Sequence, residues 1–115
     1  MPKNYLCIQR SPTGGKPSGP SPSPAEMDQM YAAFNEWRET FRDNIINLGG
    51  RLLGDAKVIR HDGEVDGPFV ELKEVIGGYM ILSAETIDEA ANVAKLCPGV
   101  LRPGSSVEVR EVMVP

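Results

Sequence analysis

Residues 66–79, DGPFVELKEVIGGY, hold the chain's densest group of chemically capable side chains: Asp66, Glu71, Lys73 and Glu74, framed by Phe69 and Tyr79. Gly67-Pro68 sets a sharp turn, since proline locks φ and glycine tolerates positive φ. Phe69 can then anchor that turn in a core. In extended chain Glu71 and Lys73 share one face and Glu74 takes the other. Two acids and an ammonium between apolar anchors can line a polar pocket and shift one another's pKa, the conditions for proton transfer. Asp66, Glu71 and Lys73 are therefore the candidate acid–base residues, and Asp66, Phe69, Glu74 and Tyr79 the candidate ligand contacts. The bland readings use the same groups. Asp66 can simply accept backbone N–H bonds ahead of Gly67. The Glu71–Lys73–Glu74 cluster can be a salt-bridged surface segment, worth roughly 0–1 kcal/mol. A surface pair would hardly need rigid Gly-Pro and Gly-Gly framing, which keeps the site reading in play.

Other chemistries find little support. One His, at position 61, and two Cys, at 7 and 97, make neither a zinc nor a redox spacing, and the carboxylates lack a calcium-loop pattern. No metal or other cofactor is expected. No His or Asn constellation points to Cys97 as a nucleophile, so Cys7 and Cys97 read as buried thiols of a cytoplasmic protein. Gly14-Gly15 and Gly49-Gly50 lack the strand–glycine loop–helix context of a phosphate cradle. Twelve Lys+Arg against sixteen Asp+Glu leave a net charge of −4 with no basic block, which argues against nucleic acid as a partner. Leu6-Cys7-Ile8 is too short for a signal peptide's apolar region, and no run is long enough to span a bilayer.

The elements that must position the motif are legible around it. Residues 4–9 (NYLCIQ) predict a strand with Tyr5 and Cys7 on one face, Leu6 and Ile8 on the other. Both faces are apolar, so both should be covered. Residues 11–24, with five Pro, four Ser and three Gly, cannot build a core and predict a surface loop, or a lid over a pocket. A helix should follow, with Ser23 as cap, Pro24 at its first position and Glu26 completing a capping box. Its apolar stripe reads Met27, Met30, Tyr31, Phe34, Trp37, Phe41, Ile45 and Leu48, expected to face the core, with Gly49-Gly50 as the stop. Residues 57–60 and 63–65 flank an Asp62-Gly63 hairpin signal. Gly77-Gly78 opens a second doubly apolar strand, 79–82. Thr86 and Glu89 start a helix bearing Ile87, Ala90, Ala91, Ala94 and Cys97, ended by Pro98-Gly99. Residues 106–114 close the chain as a strand.

At 115 residues the chain predicts a single domain. The order fits an α+β fold of the ferredoxin-like, split βαβ type with a small inserted hairpin. Both helices would cover one sheet face. The other face would carry Tyr5 or Leu6 and Tyr79 or Met80, an apolar patch best buried by a second copy across a two-fold axis.

DGPFVELKEVIGGY also resembles the motif of the YCII-related proteins of the DGPF branch, which runs close to DGPFAETKE followed by GGY. The likeness extends to the capping-box helix starts, to Asp88-Glu89-Ala90 and Cys97-Pro98, and to Gly104-Ser105-Ser106-Val107-Glu108-Val109-Arg110, similar to a GGSVEVRP ending. It spans nearly the whole chain except the Pro/Ser segment. The resemblance implies a dimeric α+β barrel. Val70 and Leu72 stand where that branch usually has Ala and Thr. The wider group's helix His, paired with an Asp as a suggested catalytic pair, has no counterpart in Pro24-Ala25-Glu26-Met27, and His61 sits in a predicted hairpin turn. Two functions are thus expected. One is a homodimer binding a small organic molecule beside the motif, with lyase- or isomerase-type proton transfer by Asp66 or Glu71. The other is a non-catalytic dimeric binding or regulatory module in which the motif is structural.

Overall fold

The computed structural model describes residues 2–12, 23–53, 55–66, 74–101 and 104–113. Eight elements follow one another: β1 (Lys3–Pro12), α1 (Pro24–Thr40), β2 (Ile45–Arg51), β3 (Lys57–Arg60), β4 (Gly63–Asp66), β5 (Glu74–Ala84), α2 (Ile87–Lys95) and β6 (Ser106–Val112). β2, β5, β1 and β6 lie side by side, in that order, as one antiparallel sheet, and β3 and β4 form a separate hairpin. With the hairpin set aside, the order is strand–helix–strand–strand–helix–strand with the first and third strands paired at the centre. That is the ferredoxin-like α+β arrangement, with the hairpin inserted between β2 and β5.

The period-two alternation of β1 decides which side chains enter the core. Tyr5 and Cys7 are buried, and their register partners Leu82 and Met80 on β5 are buried with them. The core lies between this face and the helices: Cys7, Met80 and Leu82 pack with Trp37, Val93, Ala94, Cys97 and Val100, and Tyr5 packs with Ala84 and Ala90. Trp37 joins the two helices, its indole Nε1 donating to the Val93 carbonyl at 2.9 Å. Burying an indole stabilises only where its N–H finds such an acceptor.

α1 starts at the expected cap: Ser23 Oγ accepts from the Glu26 N–H at 3.2 Å and donates to the Glu26 carboxylate at 3.1 Å. It ends sooner than the spacing of apolar residues predicts. The helix stops at Thr40, Phe41 caps it, and Ile45 and Leu48 belong to β2. Arg42-Asp43-Asn44 make a turn, and the β-branched pair Ile45-Ile46 then satisfies the free edge of β5. Asn44 locks the change of direction. Its side-chain amide donates to the Ser83 carbonyl at 2.8 Å and to Glu89 at 3.1 Å, and its backbone carbonyl accepts from the Ser83 N–H at 2.6 Å. Glu89 also accepts from the Glu85 N–H, while Thr86 caps α2 by accepting from the Glu89 N–H at 3.1 Å. Starts of β2 and α2 and the end of β5 are thereby tied into one junction.

Only part of the α1 stripe reaches the core. Trp37 is buried and Phe34 and Phe41 are half-buried, but Met27, Met30 and Tyr31 are 41%, 51% and 62% exposed. The expectation that the whole stripe is interior is corrected: the core cluster takes in Phe34, Trp37 and Phe41 and leaves the residues of the first turns exposed. Gly49-Gly50 is likewise no helix stop. Gly49 (φ +70°) lies within β2, where a Cβ would run into the Tyr79 carbonyl. Gly77-Gly78 lies inside β5 rather than at its start, where the register with β1 shifts at Gln9/Arg10.

Trp37→Ala should cost about 3–5 kcal/mol through loss of a buried aromatic. Trp37→Phe should cost about 1–3 kcal/mol, because the Val93 carbonyl loses its partner. Urea unfolding measures both; two unchanged midpoints would mean that α1 is not anchored through this residue.

Candidate functional site

The sheet face turned away from the helices is built in cross-strand rows, because register partners in an antiparallel sheet project to the same side. One row reads Asn47 (β2), Ile81 (β5), Leu6 (β1) and Arg110 (β6). The next reads Gly50, Tyr79, Ile8 and Glu108, and a third Ile76, Arg10 and Ser106. Leu6, Ile8, Tyr79 and Ile81 are half-buried and Ile76 is exposed. A Cβ at Gly50 would meet nothing within 4 Å, so the sheet beside Tyr79 is bare on the β2 side. Of the alternatives posed by the sequence, Leu6 and Tyr79 are on this open face; Tyr5 and Met80 are in the core.

Among the side chains described on this face, the charged groups gather at Glu108. Arg10 Nη2 lies 3.3 Å from Glu108 Oε1, and Arg110 Nη1 lies 3.7 Å from Oε2. Each carboxylate oxygen therefore meets a different guanidinium. Arg10 is the more enclosed cation, with its side chain 33% exposed against 72% for Arg110.

The sequence candidates are placed unevenly around this face. Tyr79 sits in its middle row. Glu74 begins β5 with Pro12, the last residue of β1, as its register partner. Asp66 ends β4 opposite Lys57, in the separate hairpin. Phe69, Glu71 and Lys73 lie outside the described residues, as does most of the Pro/Ser segment. His61 is exposed in the turn between β3 and β4, as expected. Arg10, Glu108, Arg110 and Gly50 were not singled out from the sequence as site residues. Their signal is phase: Arg10 continues the Leu6–Ile8 alternation, and Glu108 and Arg110 alternate with Val107 and Val109. Which face that phase belongs to follows only from the pairing of β1 with β6.

Cys7 and Cys97 are free thiols inside the core, and burial pushes both up to about 11 from an ordinary 9.0. A thiol so far from its thiolate is a poor nucleophile, which makes both packing residues. No cluster of metal-binding side chains occurs among the described residues, nor a helix long and apolar enough to cross a membrane.

The family model described as YCII-related domain matches residues 22–114. A search of curated proteins returns no match.

In the folded protein both thiols should resist a disulfide reagent at pH 8 and react on unfolding in urea. Because the folded pKa is raised, their contribution to stability is complete below about pH 9 and falls away as pH rises through about 11. Denaturant midpoints across that window, flattened in the Cys7→Ala/Cys97→Ala variant, check the sign; rapid labelling of the native protein would contradict it.

Proposed function

The chain belongs to the family of YCII-related domains, and on that premise we propose that it is a homodimer of the DGPF branch that binds a small organic molecule beside residues 66–79. The pairing of Pro12 with Glu74 carries this reading. That one pair adjoins two segments in sequence: the Pro/Ser-rich residues after Pro12 and, before Glu74, the stretch holding Lys73, Glu71 and Phe69. Tyr79, Ile76 and Arg10 border the same end of the open face. A pocket there would combine an apolar floor with an acid–base group, as small-molecule sites do. Asp66 or Glu71 would move the proton in lyase- or isomerase-type chemistry, with Lys73 adjusting their charge. The half-buried Leu6, Ile8 and Ile81 support a dimer through the same sheet face, with the Arg10 end at its rim. The two unpaired thiols suit a reducing, cytoplasmic setting.

A second reading has its own support. The start of α1 bears no His, and the one His of the chain is exposed in a hairpin turn. A non-catalytic dimeric module with a structural motif accords with that.

Thermal-shift screening against a panel of small metabolites separates the two, since a ligand that binds only the folded state raises Tm. Stabilising compounds are expected, and Asp66→Asn should fold normally yet lose affinity or turnover. Full binding and turnover in that variant removes Asp66 from the mechanism, and a panel without any stabiliser favours the module. Sedimentation on dilution into the nanomolar range should yield a destabilised monomer, and Leu6→Asp should yield it at micromolar concentration. A stable wild-type monomer defeats the sheet-face dimer.

A further inference from the structure

We propose that the ligand of this site is a small carboxylic acid, and that Arg10 is the residue that selects it. The inference rests on the small-molecule reading above and names its substrate class. Its basis is a mismatch of charge on the open face. Two guanidiniums share one carboxylate, Arg10 at 3.3 Å and Arg110 at 3.7 Å from the two oxygens of Glu108, so the three groups carry a net positive charge in a chain whose total is −4. A guanidinium offers five N–H donors in a planar fork. Arg10 directs one of its nitrogens, Nη2, at Glu108. Its fork therefore keeps an edge for a second anion, the geometry that suits a carboxylate.

The neighbours of Arg10 define the rest of the molecule. In its own row stand Ile76 on one side and Ser106 on the other, and the adjacent row supplies Tyr79 beside the bare backbone of Gly50. A ligand with its carboxylate on Arg10 would lay an apolar or planar body over Ile76 and Tyr79. Glu108 has a positioning role. It holds the Arg10 guanidinium from the β6 side, and Arg110, on the far oxygen, offsets the repulsion that Glu108 would exert on an incoming anion. Arg10 is half-buried and Arg110 is mostly solvated, so Arg10 is the anchor and Arg110 the dispensable cation. An interaction between exposed charges weakens with salt, whereas one at a half-buried guanidinium loses less.

The test uses the full chain with two probes of equal shape, benzoate and the neutral benzamide, read by calorimetry and thermal shift at neutral pH. Benzoate should bind about tenfold or more tightly than benzamide, the range of a hydrogen bond to a charged group. Arg10→Gln should abolish that preference while leaving the unliganded Tm within error of wild type. Arg10→Lys should recover part of it, and Arg110→Gln should weaken benzoate binding far less than Arg10→Gln. Equal binding of the two probes overturns the carboxylate assignment and leaves the small-molecule reading standing. Preference unchanged in Arg10→Gln overturns the role of Arg10. Binding of neither probe overturns the assignment as well, and the small-molecule reading fails with it only if the neutral and cationic members of the metabolite panel also fail to stabilise the protein.

Discussion

Everything in this molecule hangs from the pairing of β1 with β5. Ten residues of β1 have partners on β5, from Lys3 with Ala84 to Pro12 with Glu74. Side chains alternate at every residue of a strand, so a slip of one position would exchange the two faces of the sheet. Tyr5 and Cys7 would leave the core, and Leu6 and Ile8 would collide with the helices. The core therefore enforces the register through Cys7, Met80 and Leu82, and the register in turn aligns the open face. β6 reads its own phase from the same strand: Val109 lies opposite Cys7 and faces the helices, while Glu108 lies opposite Ile8 and faces away.

The helices depend on that sheet to different degrees. α2 lies on it with Ala90, Val93 and Ala94 buried, small residues that allow close approach of helix to strands. α1 is held near its C-terminus, by Trp37 and its bond to the Val93 carbonyl, and by Phe34 and Phe41 packed at the margin of the core. Its first turns carry Met27, Met30 and Tyr31 on the surface. Among the described residues the sheet has one face covered by the helices and one open face. At the end where Pro12 pairs with Glu74, the open face offers Ile76, Tyr79 and Arg10.

The C-terminal end of α1 shows where local pattern gives out. Phe41, Ile45 and Leu48 continue the three- and four-residue steps of α1, and periodicity alone extends the helix through them. The chain instead turns at Arg42-Asp43-Asn44, because β5 has an edge that needs hydrogen bonds and Asn44 can serve Ser83 and Glu89 at once. None of these partners is near Asn44 in sequence. Propensity is a weak prior and a long-range edge outweighs it.

By itself the sequence determined the ferredoxin-like class, both helix N-caps, the inserted hairpin, the doubly apolar strand at 4–9 and the likeness to the YCII-related family. Each is written in neighbouring residues, as caps, turn pairs and alternation, and needs no distant partner. Only the tertiary structure decided that 45–51 is a strand, that Leu6 and Tyr79 rather than Tyr5 and Met80 face outward, and that Arg10 meets Glu108 ninety-eight positions away at 3.3 Å. Those facts are set by strand register. Register is a property of pairs of segments, fixed by what each buries against the other, and no single stretch of chain contains it.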